Sequence, residues 1–262
     1  MKKIILTSEQ KEYVKQQLLS KHSLTQIAKE LKISREVLSR EARNIMGETF
    51  DFKRKTYINL SYFENIDTPE KAYWLGFLAA DGYVVGNELN IQLQQSDKQH
   101  LKKFSDAING NLTIRDINGK NNFGTAYSHY RVSIKSDKMI QDLDKYGIVN
   151  KKSLLLQKPP INSNFYGYWI LGYMDGDGCI SKNKKKIRIS LTGTKEVISF
   201  IKDYLHSQNV ISLEHRCQNT YRIQLENDLS LAFLQRMDYG DLPFCLERKK
   251  EIFNYYNSSL TQ

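Results

Sequence analysis

The feature that most constrains this chain is a segment that occurs twice. Tyr73-Trp-Leu-Gly-Phe-Leu-Ala-Ala-Asp-Gly82 returns as Tyr168-Trp-Ile-Leu-Gly-Tyr-Met-Asp-Gly-Asp-Gly178, with the matched acids Asp81 and Asp177 separated by 96 residues. A repeat of this length predicts two pseudo-symmetric subdomains. The same order of elements follows each copy. In the first, Leu89, Ile91 and Leu93 alternate with Glu88, Asn90, Gln92 and Gln94 as in a half-buried strand, followed by a helix over 97–108. Strands near 111–117 and 127–135 and a helix near 137–146 complete it. In the second, Ile187, Ile189 and Leu191 alternate with Lys186, Arg188, Ser190 and Thr192, before a helix over 195–207, strands near 211–217 and 221–226, and a helix near 228–237. Each unit reads helix, two strands, helix, two strands, helix.

Each copy is an apolar helix with a face of small residues, Gly76, Ala79 and Ala80 in one and Gly172 and Gly176 in the other. Such faces let two helix backbones approach closely. Each helix ends in Asp-Gly, and Gly82 and Gly178 are expected to take the left-handed conformation at the helix end. Packed side by side, the helices bring Asp81 and Asp177 together. Two crowded carboxylates repel unless a cation lies between them, and an all-oxygen donor set suits Mg²⁺.

Both copies resemble the LAGLIDADG motif of homing endonucleases, and two units in one chain match the double-motif form over about residues 66–256. The resemblance implies an α+β fold of two pseudo-symmetric αββαββα repeats, forming a saddle of antiparallel sheets with the motif helices at their interface. It further implies cleavage of both strands of a long DNA site with Mg²⁺ as cofactor, Mn²⁺ substituting, by a monomer. Asp81 and Asp177 become the metal-binding catalytic acids, with the carbonyls of Ala80 and Gly176 as further ligands. The first copy departs from the motif at Ala79, where the second keeps an earlier acid, Asp175; that acid is not the catalytic one. A basic residue beside each site is also implied, and Lys152 and Lys249 are favoured over Lys151, Arg248 and Lys250.

The charge agrees with a polyanionic partner: 39 Lys and Arg against 29 Asp and Glu give a formal +10. A sheet with one free face would read base edges through Asn90, Gln92, Gln94, His129, Arg131, Ser133 and Lys135 in one repeat. In the other, Lys186, Arg188, Ser190, Thr192, Arg222 and Gln224 serve, since Asn and Gln suit adenine and Arg suits guanine. Lys184 and Lys185 belong to an expected hairpin turn meeting phosphates. No dinucleotide or P-loop glycine pattern and no histidine cluster of metal-ligand spacing occurs. A DNA-binding regulator that no longer cuts and an RNA-binding maturase of the same fold remain alternatives.

Residues 1–50 read as a small all-α domain. Thr7 and Gln10 have capping-box spacing, Val14, Leu18 and Leu19 mark an apolar face, and a sharp turn at Lys32 and Ile33 precedes a helix capped by Ser34. This pattern resembles a helix-turn-helix presenting Arg35, Ser39, Arg40 and Arg43 to the major groove. Residues 51–68 read as a linker, 69–161 as the first repeat and 162–262 as the second. Thr68 and Pro69 form a helix start. Cys179, Cys217 and Cys245 are expected to be reduced packing residues. No apolar run approaches the ~20 residues of a membrane span, so an intracellular, cytoplasmic or nucleoid-associated protein is expected.

Overall fold

A computed structural model describes residues 6–19, 22, 24–47, 58–120, 126–183, 186–206, 210–211, 220–225 and 227–259. The chain divides into two compact units, Met1–Thr56 and Tyr57–Gln262.

The smaller unit holds α1 (Ser8–Leu19), α2 (Leu24–Glu30) and α3 (Arg35–Met46) around Leu6, Val14, Leu18, Ile27, Ala28, Leu38 and Ala42. The capping box is present: the Thr7 amide donates to Gln10 Oε1 at 3.0 Å, and the Gln10 amide to Thr7 Oγ1 at 3.2 Å. α2 ends in a Schellman arrangement, with Ile33 N donating to the Ala28 carbonyl and Lys32 N to that of Lys29. That closure needs a left-handed residue, and Lys32 supplies it at φ 54° although it is not glycine. Ser34 caps α3 by accepting from Val37 N at 3.3 Å. Leu19 is 59% exposed, not core, because it lies about 100° around the helix from Leu18 and off the stripe shared by Val14 and Leu18.

The larger unit is α+β and repeats αββαββα. The first repeat runs α4 (Pro69–Asp81), β1 (Gly82–Val85), β2 (Glu88–Gln94), α5 (Lys98–Ala107), β3 (Arg115–Lys120), β4 (Ala126–Lys135) and α6 (Asp137–Asp144). The second runs α7 (Tyr166–Asp177), β5 (Cys179–Asn183), β6 (Lys186–Gly193), α8 (Lys195–Leu205), β7 (Val210–Ile211), β8 (Tyr221–Leu225) and α9 (Asn227–Arg236), with α10 (Glu247–Ser258) after it. The two antiparallel sheets have the same order, β1-β2-β4-β3 and β5-β6-β8-β7. The third strand of the first repeat lies a few residues later than its sequence pattern predicts; in the second, residues 212–217 of the expected strand lie outside the described residues.

α4 and α7 are apolar all round, as helices buried on every side must be. Residues 72–79 of the first and Trp169–Asp175 of the second are buried. They meet backbone to backbone. A Cβ on Gly76 would overlap the carbonyl of Trp169, one on Gly172 the carbonyl of Tyr73, and one on Gly176 the methyl of Ala80. The glycines after the acids depart from expectation. Gly82 (φ −75°, ψ 146°) and Gly178 (φ −82°, ψ 162°) are extended, not left-handed, because each helix runs straight into a strand. Glycine is required there for space: a Cβ would lie 2.8 Å from the Leu78 carbonyl in one copy and crowd that of Met174 in the other.

One core spans both repeats and takes in Tyr62, Phe63 and Ile66. The stretch read as a linker is therefore structural from about residue 58: Asn59 N donates to the Ile108 carbonyl at 2.8 Å, and Phe63 is fully buried. Tyr62 and Phe63 are part of that core. Residues 51–57 lie outside the described residues.

Because the partner atoms at Gly172 are backbone, side-chain repacking cannot make room for a methyl group. Gly172→Ala should destabilise the chain by about 3 kcal/mol, the upper end for overpacking, read as a lower urea midpoint. An unchanged midpoint would contradict the close helix contact.

Candidate active site and nucleic-acid interface

The paired helices end together, so their terminal acids share one place. Gly176 packs on Ala80, and a Cβ there would lie 3.4 Å from the amide nitrogen of Asp81. Loss of water and then the charge of Asp177 push the Asp81 carboxyl up to about 6, while Lys249 and Lys152 oppose the shift. Asp177 is also raised by partial desolvation, against the pull of Lys152 and then Lys249. The lysines act crosswise: Lys249 weighs more on Asp81, and Lys152 more on Asp177.

Both lysines are themselves buried, at 6% and 3% exposure, and burial lowers both ammonium pKa values. They stay solvated by carbonyls. Lys152 Nζ donates to the Ala80 carbonyl at 2.8 Å; Lys249 Nζ donates to those of Met174, Asp175 and Gly178 at 2.7, 2.8 and 2.6 Å. The Ala80 carbonyl, expected as a metal ligand, thus spends one lone pair on Lys152 and keeps the other. The rejected candidates have other partners or lie outside. Lys151 is exposed; Arg248 grips buried Asp97 through Nε and Nη2 at 3.1–3.2 Å; Lys250 donates to the Leu242 carbonyl at 3.2 Å.

The donor set offered to a ligand is all oxygen: two carboxylates and adjacent carbonyls. Among the described residues no three His, Cys, Asp or Glu come together. One or two carboxylates are the usual protein share for Mg²⁺, which keeps waters and takes substrate phosphate oxygens.

Strand register settles which residues share the free faces. In the first sheet Asn90 lies opposite Ser133, Gln92 opposite Arg131, and Gln94 opposite His129, with Glu88 opposite Lys135. In the second, Ser190 lies opposite Gln224 and Thr192 opposite Arg222, with Lys186 and Arg188 on the same face of β6. Several of these residues are hydrogen-bonded to one another or to a neighbour. Arg131 donates through Nε and Nη2 to Gln92 Oε1 at 3.1 and 2.6 Å, and Ser133 donates to Asn90 Oδ1 at 2.6 Å. Gln94 Nε2 donates to Asp97 at 3.0 Å, and Arg222 Nε to Thr192 Oγ1 at 3.5 Å. Asn90 departs from the expected free position, being only 5% exposed, because it sits on a central strand under Ser133.

The sequence reading missed Arg115, directly opposite Arg131, and Tyr83, opposite Asn90. Their signal was available only after the strands were located: Arg115 lies on a strand read too early, and Tyr83 on one that follows the motif helix without a break. Ser181 faces Arg188 in the same way. Cys245 is a buried packing residue as expected, but Cys179 is exposed opposite Ser190 on the free face. It directly follows Gly178, and alternation turns it outward. Cys217, Lys184 and Lys185 lie outside the described residues. In the smaller unit Arg35, Arg40 and Arg43 are exposed on α3 and Ser39 is half-buried, with Arg40 3.4 Å from Glu41.

Comparison with known proteins agrees with this architecture. Residues 164–236 match a family described as LAGLIDADG-like domain. The chain is 26% identical over 190 residues, 72% of its length, to DNA-directed RNA polymerase subunit Rpo1C of Methanocaldococcus jannaschii, and spans only 21% of that relative. Among solved structures, the homing endonuclease I-WcaI bound to its DNA recognition sequence superimposes with a TM-score of 0.54 at 14% identity, over 75% of this chain and 88% of that one. At that identity the likeness concerns the fold, and the fold of this chain is that of the LAGLIDADG homing endonucleases.

Proposed function

We propose that this chain is a site-specific, divalent-metal-dependent endonuclease that hydrolyses phosphodiester bonds on both strands of a long double-stranded DNA site, acting as a monomer. The observation that carries this reading is the pairing of Asp81 and Asp177 at adjoining helix ends, each opposed across the pair by a buried lysine. A carboxyl raised to about 6 beside a second acid gains from a cation.

The residues present fit Mg²⁺: Asp81 and Asp177 would hold it, aided by the remaining lone pair of the Ala80 carbonyl and by the Gly176 carbonyl. When bound, such an ion lowers the pKa of an attacking water, holds the scissile phosphate and stabilises the leaving oxygen. Lys152 and Lys249, fixed by their carbonyl bonds, supply positive charge where the transition state gathers negative charge. The free faces of the sheets suit the major groove, with Arg131 and Arg188 for guanine and Gln92, Gln94 and Gln224 for adenine. In the smaller unit, α2, the turn at Lys32 and α3 support a helix-turn-helix whose Arg35, Ser39, Arg40 and Arg43 add a separate DNA contact.

Asp81→Asn and Asp177→Asn should each abolish double-strand cleavage and leave binding to the site intact. Wild-type cutting of both strands by either variant would remove the catalytic assignment. The site itself can be obtained from a cleavage selection on a randomised duplex library.

The acids also set a pH dependence. A carboxylate must lose its proton to take a cation, so Mn²⁺ affinity, followed by its paramagnetic relaxation, should fall as the pH drops through about 6. Between pH 7 and pH 5 the loss should be about tenfold for one such proton. Affinity independent of pH over that range would place the cation elsewhere.

Base reading is separable from phosphate binding. Arg131→Ala and Arg188→Ala should each relax preference at one or two neighbouring base pairs, by about 1 to 3 kcal/mol there. Profiles of all single-base variants of the site test this. Uniform weakening across the profile would make the two arginines phosphate contacts.

A further inference from the structure

Asp175 is the acid of the second motif that the proposed chemistry does not use, and it is among the most enclosed charged groups described, at 1% exposure. Its carboxylate is fully engaged. Tyr73 of α4 donates to Oδ2 at 2.6 Å, Tyr239 donates to Oδ1 at 2.6 Å, and the backbone N–H of Leu246 donates to Oδ2 at 2.8 Å. Leu246 is the residue from which α10 begins. One helical turn further on, Lys249 N donates to the Leu246 carbonyl at 3.1 Å, and Lys249 Nζ reaches back to the carbonyl of Asp175 itself at 2.8 Å. Residues 175, 246 and 249 therefore close a ring, with the Asp175 carboxylate holding one end of the turn and its carbonyl the other.

Among the described residues the other half-site has no such ring. At the place matching Asp175 stands Ala79, which offers no acceptor side chain. Lys152 opens a three-residue 3₁₀ turn entered through left-handed Lys151 (φ 59°), and among the described residues its ammonium donates to one carbonyl against three for Lys249. The residues after it, Leu154 and Leu155, are 61% and 63% exposed, while Leu156 beyond them is buried and its carbonyl accepts from Thr194 Oγ1 at 2.6 Å. The start of α10 carries more ties to the other repeat, by Arg248 to Asp97 and by Lys103 to the Cys245 carbonyl and Glu247.

We propose that Asp175 is a positioning residue for Lys249: by gripping the first turn of α10 it holds that lysine at the cleavage centre, and because Ala79 gives Lys152 no counterpart, the two DNA strands are cut by unequal halves. The strand-cleavage part rests on the endonuclease reading above; the placement of Lys249 does not.

Two measurements on the full chain separate these. Lysine acetylation by acetic anhydride, followed by peptide mass spectrometry without DNA or metal, reads placement alone. In Asp175→Asn, Lys249 should be modified several-fold faster than in the wild type while Lys152 keeps its rate. Tyr239→Phe, which removes one donor and no charge, should raise Lys249 reactivity by a smaller factor; it carries the test if the Asn variant does not fold. Unchanged Lys249 reactivity, or equal increases at both lysines, would overturn the proposal. On a supercoiled plasmid bearing the cleavage site, Asp175→Asn and Lys249→Met should both accumulate nicked circles with the same strand left intact, and Lys152→Met should spare the other strand. Equal slowing of both strands by Asp175→Asn would show a merely structural role. A wild-type chain that binds but never cuts would count against the endonuclease reading, while the acetylation result would still decide the placement of Lys249.

Discussion

Everything at the candidate site depends on how closely α4 and α7 approach. With no Cβ at Gly76 and Gly172, each helix lays its backbone against the carbonyl of the other, a separation that larger residues forbid. Two helix ends at that spacing bury Asp81 and place it in the field of Asp177, and the loss of water first and that charge second raise the Asp81 carboxyl. The same contact fuses the two sheets into one core, so the distance between the two free faces is set by the helices that carry the acids. The spacing of the acids and the spacing of the sheets are thus one constraint.

Burying lysines beside those acids is unfavourable unless their protons are accepted, and the structure meets this with backbone carbonyls at the C-terminal ends of the motif helices. Carbonyls left over at a helix C-terminus are suited to hold an ammonium. The solution differs between halves. Lys249 sits in a ring closed by Asp175, whereas Lys152 rests, among the described residues, on one helix-end carbonyl, and the pseudo-symmetry visible in the element order is broken at the level of side-chain support.

The free faces carry their own order. Arg131 held by Gln92, and Asn90 held by Ser133, are side chains whose orientation is set before any ligand arrives. Such pairs reduce the rotamer entropy lost on binding. They also mean that any new partner of Gln92 Oε1 must compete with a charge-assisted bond already made.

Much of this was legible in the sequence. The repeat of an apolar helix ending in Asp-Gly, the strict alternation over Leu89 to Gln94 and Ile187 to Thr192, and the caps at Thr7, Ser34 and Thr68 are local signals. They follow from helical and strand periodicity and from which backbone groups a helix end leaves unpaired. The sequence therefore determined the α+β repeat and the identity of the paired acids. Only the tertiary structure decided the rest, because it depends on neighbours distant in the chain. That Gly82 is extended, that residues 58–66 fill a core instead of linking two domains, that Asn90 is covered, and that Cys179 faces outward all turn on packing partners that no local pattern encodes. Asp175 is the clearest case. In the motif it reads only as the acid that is not catalytic, and its bonds to Tyr73, Tyr239 and Leu246 join residues up to 102 positions apart that meet only after both repeats have folded together.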